Sequence, residues 1–276
     1  MRLLNQSSEI CNQTGFSLLD IYEHIEKCAR VSYKSEDKIT DNSAIPFVNM
    51  LEEHKHDAPL EFGTIHFKIP SILFKTLCED LMFHKLWNNI WIQYKRVDTT
   101  IYFTTNYRYW HVILDKVPYI GEYLDLGDEN LDNYPKRYTV KLITSRTVSH
   151  EVVRHRIFSF MQESQRFINY SKGKFNNEVT FIKPCWVVVP MTVEDFTFTG
   201  LLENAEYSYL QLLKEGWKPQ QARVVLPNNT KTELYMCGFK DAWEHFFALR
   251  DNKIVDPQMY DLVHPMHQEF IDNKYL

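Results

Sequence analysis

Only eight glycines occur in 276 residues, with no GxGxxG and no GxxxxGK run. The chain therefore shows no backbone nest of the kind that holds a pyrophosphate at a helix N-terminus, and any dinucleotide it takes must be held by side chains. Those side chains are concentrated in one place. Arg154, His155 and Arg156, followed by Ser159, Ser164 and Arg166, put three obligate cations and an imidazole into thirteen residues. A guanidinium is charged at every working pH and offers a planar fork of donors that matches phosphate and carboxylate, so such clustering points to an anionic ligand. The competing reading is a solvated charged patch at a helix C-terminus, where cations complement the macrodipole.

The formal net charge is -5, so a phosphate site would be local, and the spread of lysine and arginine that marks a nucleic-acid groove is missing. A hydrophobic content of 44% with 14% aromatics is ample for a packed core. The length allows one large domain or two small ones. Cys11, Cys28, Cys78, Cys185 and Cys237 are widely separated, with no CxxC pair and no zinc spacing, which fits a reducing cytoplasm. No signal-peptide core and no apolar run of membrane-spanning length is present, so a soluble cytoplasmic protein is expected, without nucleic acid or membrane as partners.

Helical spacing of Leu18, Ile21, Ile25, Cys28 and Ala29 predicts a helix over 17–33, capped by Ser17 and leading into Ser32. A second helix is expected at 44–54. Residues 62–69 alternate as a half-buried strand would, and a helix should follow Pro70. RYTVKLI at 137–143 reads as a strand, and Val148, Val152 and Val153 predict a helix running into the arginine cluster. The β-branched and aromatic run 177–189 reads as a strand interrupted at Pro184, with Cys185 a buried member of it. A helix over 194–215 ending at Gly216 and a helix pair at 240–250 and 256–272 complete the reading. The most polar stretch, 125–136, is too short to establish two domains. His54-Lys55-His56-Asp57 lacks a third ligand at a useful spacing, so no metal site is expected.

RHRxxSxxxxSxR at 154–166 resembles the signature of the flavin-dependent thymidylate synthases. Four further segments agree with that family in order: ARVSY at 29–33, HKHDAPLE at 54–61, PQQARVVLP at 219–227 and EHFFALR at 244–250. The resemblance implies a single α+β domain, a twisted, mostly antiparallel sheet flanked by helices, with a family-variable insertion at about 70–140. It also implies methylation of dUMP to dTMP, with 5,10-methylenetetrahydrofolate supplying carbon and FAD, reduced by NADPH, supplying hydride in a homotetramer. Three anionic molecules in one site would account for arginines where glycine loops are missing.

Carried over position by position, the resemblance assigns Ser32, His56, Ala58, Glu61, Arg154, His155, Arg156, Gln162, Phe239 and His245 to FAD. It assigns Glu151, Arg154, Gln162, Glu163, Ser164, Gln165, Arg166, Arg223 and Arg250 to dUMP. Arg250 is the candidate catalytic residue, because attack by C5 of uracil needs electron density pushed out from N3 and O2, and a guanidinium beside those atoms would stabilise the developing charge. The alternatives are an Arg250 paired with Asp251 or Glu244, a salt-bridged Arg223, a satisfied buried His56 and a helix-capping Ser32. Ala58, Phe62, Glu151, Phe239 and Asp256 depart from the family's usual residues, and Gln162 stands where many members carry glutamate. Two rival functions remain at this point. One is a nucleotide- or flavin-binding regulatory module. The other is thiolate chemistry by Cys185, whose Pro184-Cys185 context resembles that of the Cys-dependent thymidylate synthases although Trp186 stands where those have histidine.

Overall fold

The computed structural model of the chain describes residues 1–87, 90–127, 131–187 and 193–276. It opens with two short strands, β1 (Arg2–Leu4) and β2 (Ser7–Ile10). Ser17 then caps α1 (Leu18–Ala29): its hydroxyl accepts from the Asp20 N–H and the Asp20 carboxylate accepts from the Ser17 N–H, a reciprocal capping box. A 3-10 turn, Arg30–Tyr33, carries the chain past Ser32 into α2 (Ala44–Glu53) and α3 (Asp57–Leu60). Next come β3 (Thr64–Pro70), α4 (Phe74–Phe83), β4 (Ile92–Val97), β5 (Thr100–Asn106), α5 (Tyr107–Lys116) and the short β6 (Leu124–Asp125).

β7 (Arg137–Ser145) leads directly into α6 (Arg146–Val152), where the Ser145 hydroxyl caps the Val148 N–H. The arginine cluster follows, then β8 (Ser159–Gln162), β9 (Thr180–Ile182), α7 (Val193–Lys214) and the one-turn α8 (Pro219–Ala222). Gly216, at φ +94°, closes α7 in the left-handed region that favours glycine. β10 (Lys231–Phe239), α9 (Lys240–Arg250) and α10 (Pro257–Asp272) complete the chain.

The class is α+β with antiparallel sheets, and the pairing is divided between two four-stranded sheets in the orders β2-β7-β10-β8 and β4-β5-β3-β6. The second is built wholly from residues 64–125. β1 and β9 form a separate parallel pair. In the first sheet, α6, α9 and α10 cover one face around Leu142, Leu234, Met236 and Trp243. The other face carries Tyr235 and Cys237 against Cys28, Val31 and Phe62.

Three expectations need correction. β3 is not half-buried: Thr64 to Phe67 are all covered, because Phe16 and Tyr134 stack on opposite sides of His66 at 4.2 Å while Phe67 packs on Phe103. Of the strand expected at 177–189 only Thr180–Ile182 forms, and Val188 and Val189 lie outside the described residues. Pro184 has no N–H to continue the ladder, so the last bond to β1 is from the Lys183 N–H to the Leu4 carbonyl and the chain then turns. Cys185, on that turn, is consequently exposed rather than buried in a strand.

Candidate active site

β8 is an edge strand, and its register with β10 sorts the candidate residues onto two sides. Met161 lies opposite Tyr235 and Gln162 opposite Leu234, so successive β8 side chains point to opposite faces of the sheet. On the Met161 face is a cavity of about 600 Å³, open to solvent, whose walls include Ser32, His56, Ala58 and Ser164. Three distant segments thus meet there. The Ser164 N–H bonds the Ser32 carbonyl at 3.1 Å, fastening the loop after β8 to the turn after α1. Apolar walls come from Phe47, Met50, Leu51 and Met161. The Ser32 hydroxyl caps no helix; it points at the Met161 sulfur, 2.8 Å away, a weak acceptor. His56 is exposed on the cavity rather than buried.

On the opposite side, Arg250 at the end of α9 reaches the arginine cluster. Its Nε donates to His155 Nε2 at 2.9 Å and its Nη1 to Glu151 Oε2 at 2.9 Å. The pairings with Asp251 or Glu244 do not form, since Asp251 is held by His264 and His267 and Glu244 by Lys240. To accept from a guanidinium, His155 must be neutral at Nε2. Burial, then the charges of Arg250, His245 and Arg154, push its pKa down to about 4, so it is the neutral acceptor at ordinary pH. Arg154 and Arg156 are exposed and make no side-chain ion pair among the described residues. Phe239 and His245 line a smaller cavity of about 240 Å³ with Ile157. Of the FAD-assigned residues, Ser32, His56 and Ala58 therefore line one cavity and Phe239 and His245 another.

Glu61 links the halves. Its carboxylate accepts from the Ser159 hydroxyl on β8 at 2.7 Å and from Arg108 Nη1 at 2.6 Å, while Arg137 Nη2 donates to its carbonyl at 2.8 Å. Gln162 turns toward α6 and donates to the hydroxyls of Ser149 and Thr232. Glu163 is buried, accepting from Lys231 at 2.8 Å and from the Tyr170 hydroxyl at 3.4 Å. The Gln165 side-chain nitrogen is buried without a hydrogen-bond partner among the described residues, and Arg166 is exposed over the Phe167 ring.

Arg223 forms no salt bridge among the described residues. It lies close enough to Arg146, at the start of α6, for the two charges to oppose each other. Burial and then Arg223 lower the Arg146 pKa, while Tyr170 and Glu163 act in the opposite sense. Neither guanidinium has a salt-bridge partner among the described residues, an arrangement that suits an anion. Arg146 escaped the sequence reading because a lone arginine after a strand carries no motif. Its position eight residues ahead of Arg154, on the same helix that runs into the cluster, was the available signal. Arg108 and Arg137 were equally illegible, since their partner Glu61 is 47 and 76 residues away.

Residues 136–273, half of the chain, match the family described as thymidylate synthase complementing protein. The chain belongs to that family, the flavin-dependent thymidylate synthases. Among its curated relatives, the flavin-dependent thymidylate synthase of Corynebacterium aurimucosum is 30% identical over 158 residues, covering 52% of this chain and 61% of the relative. That of Mycobacterium avium is 28% identical over 161 residues, covering 51% and 60%. The chain thus spans about three fifths of the length of these relatives. Among solved structures, the UMP/dUMP methylase PolB from Streptomyces cacaoi, bound with 5-Br UMP, aligns with a TM-score of 0.45 and 16% identity over 99% of this chain and 92% of that one.

Among the described residues no helix is long and apolar enough to cross a membrane. The Cys185 thiol has its pKa raised, first by partial burial and then by the charges of Asp261 and Asp256, which is opposite to what an attacking thiolate needs.

Proposed function

We propose that the chain methylates dUMP to dTMP, taking carbon from 5,10-methylenetetrahydrofolate and hydride from FAD that NADPH has reduced. The observation that carries this reading is the convergence on the β8 edge of residues from separate segments: Ser32, His56, Ala58, Glu61 and Ser164 on one side, Glu151, His155 and Arg250 on the other. The names of the curated relatives support the same activity.

The residues present suit a flavin. The larger cavity offers apolar walls to a planar ring system, within the size range of ligand pockets, and the Ser32 hydroxyl can leave its thioether for a better acceptor. Ser32, His56, Ala58 and Glu61 would hold FAD from this side, and Arg154, His155, Arg156, Gln162, Phe239 and His245 from the other. When bound, FAD supplies the hydride that completes the methyl group. Arg223, joined by Arg146, would grip the dUMP phosphate, with Glu163, Ser164, Gln165 and Arg166 closing the loop around the nucleotide. Arg250, oriented by Glu151 and by neutral His155, would stabilise negative charge growing on the pyrimidine.

The same reading makes the protein a homotetramer with sites shared between subunits, which would unite the two groups of flavin residues. It treats 70–140 as a family-variable insertion in a single domain and places the protein in the cytoplasm, where its free cysteines would stay reduced. The test is the visible spectrum of the purified protein, followed by dTMP formation and dUMP-dependent reoxidation of reduced flavin. A bound flavin band and product that depends on dUMP, methylenetetrahydrofolate and NADPH are expected. A protein that cannot be loaded with FAD overturns the reading, and one that binds FAD without dUMP-dependent reoxidation is a regulatory module instead.

A further inference from the structure

Five charged side chains from four separate segments form a nearly buried network beside the loop that follows β8. Glu233 on β10 is contacted by Lys34 and Lys141 at 2.8 Å each and also by Lys231. Lys231 reaches in the other direction to Glu163 Oε2 at 2.8 Å. The Glu163 side chain is 1% exposed and immediately precedes Ser164, whose N–H holds the Ser32 carbonyl at the cavity. Lys231 also lies across from Ser145, the residue that caps α6, and the Arg146 N–H bonds the carbonyl of Thr230 beside it. The network therefore abuts the Arg146 and Arg223 pair, and Glu163 is an anion whose field reaches Arg146.

A buried carboxylate whose field reaches a guanidinium without a salt bridge would ordinarily serve as its counterion, and an anionic ligand would have to displace it. Here that carboxylate is already committed. We propose that Lys231 is a positioning residue for anion binding: by serving as the counterion of Glu163 it leaves Arg146 and Arg223 free to receive the phosphate of the nucleotide. Glu233 secures Lys231 from behind and keeps two other lysines, Lys34 and Lys141, of its own. Removing the Lys231 ammonium therefore leaves Glu163 as the group without a cation, and its negative charge then opposes the incoming phosphate. The inference rests on the nucleotide reading of this site, although any phosphate-bearing ligand would obey it.

The test compares Lys231→Met, Lys231→Arg and the double variant Lys231→Met with Glu163→Gln by calorimetric binding of dUMP, deoxyuridine and inorganic pyrophosphate, with folding checked by thermal melting. Lys231→Met should bind dUMP and pyrophosphate about thirtyfold or more weakly, the low end for breaking a buried charge pair, with deoxyuridine unaffected because it carries no phosphate. Lys231→Arg should bind like wild type. The double variant should recover its pyrophosphate affinity to within about threefold, since it removes the negative charge along with the positive one. Unchanged phosphate affinity in Lys231→Met, an equal loss for deoxyuridine, or no recovery in a folded double variant each overturn the proposal, the last two in favour of a merely structural role. Wild-type protein that binds pyrophosphate but not dUMP overturns the nucleotide reading while leaving this inference standing. Wild type that binds neither overturns both.

Discussion

The sheets β2-β7-β10-β8 and β4-β5-β3-β6 have the same number of strands and the same antiparallel sense, but their interiors are filled differently. Around the second, Phe67 and Phe103 stack at 4.6 Å with their rings 3° from parallel, and Trp110, Tyr94 and Phe74 close over them. Around the first, one face is aliphatic and aromatic, while the strand ends and the edge carry Glu163, Lys231 and Glu233, all nearly buried. Buried charge is costly unless paired, whereas aromatic packing is stabilising in itself. The first sheet thus trades stability for electrostatics near its β8 edge, and the second is a packed buttress. Some of the contacts across are aimed at the site: Arg108 holds Glu61, and Gln93 holds Asp241 on the wall of the smaller cavity, while Arg137 on β7 reaches Thr64 on β3. The family match, at 136–273, takes in β7, β8 and β10 of the first sheet with its helices and leaves out β2 and the whole of the second sheet.

The largest effect expected from this contrast is on stability. Phe103→Ala empties the centre of the second sheet's aromatic stack and should cost about 3–5 kcal/mol in denaturant unfolding, the usual range for deleting a buried phenylalanine. dUMP affinity of the fraction that stays folded should hardly change. A parallel loss of nucleotide binding would mean that the second sheet shapes the site rather than buttressing it. On the first sheet the expectation reverses. Arg250→Lys keeps a charge but loses the planar fork shared between His155 and Glu151, so turnover should fall on the order of a hundredfold, about 2.7 kcal/mol in barrier, with little change in melting temperature. Wild-type turnover in steady-state kinetics would remove Arg250 from the chemistry.

A smaller effect, in acid, places the two regions side by side. His66 on β3 is pushed down to about 3, by burial first and then by the Lys136 charge, and His155 beside the first sheet to about 4. Both start from an ordinary value of 6.5. The unfolded chain therefore binds protons at these positions before the folded one does, so stability is fully present above about pH 6.5 and is lost as pH falls toward the folded values. His66→Phe, which keeps the stack with Phe16 and Tyr134, should flatten part of that decline without touching dUMP binding. An unaltered acid unfolding profile would show that His66 is not among the groups responsible.

The sequence alone determined most of the elements. Ser17 before the periodic run of α1, Gly216 after α7 and the apolar spacing of α9 and α10 are local signals, and the structure places elements at all of them. The arginine cluster and the segments around Ser32, His56 and Arg250 stand out in the sequence as short motifs, and the structure brings Ser32 and His56 to one cavity and Arg250 to the cluster. Burial was less legible: alternation at 62–69 suggested one wet face, but Phe16 and Tyr134, remote in sequence, cover it. Cys185 failed in the other direction, because its β-rich neighbourhood could not overrule a proline that ends the ladder. What only the tertiary structure decided was pairing. Glu61 with Arg108, Glu163 with Lys231, Arg250 with Glu151 and His155, and Arg146 beside Arg223 are joined across tens of residues. A charge's worth depends on its nearest opposite charge and on how much water separates them, and neither can be read from a position along the chain.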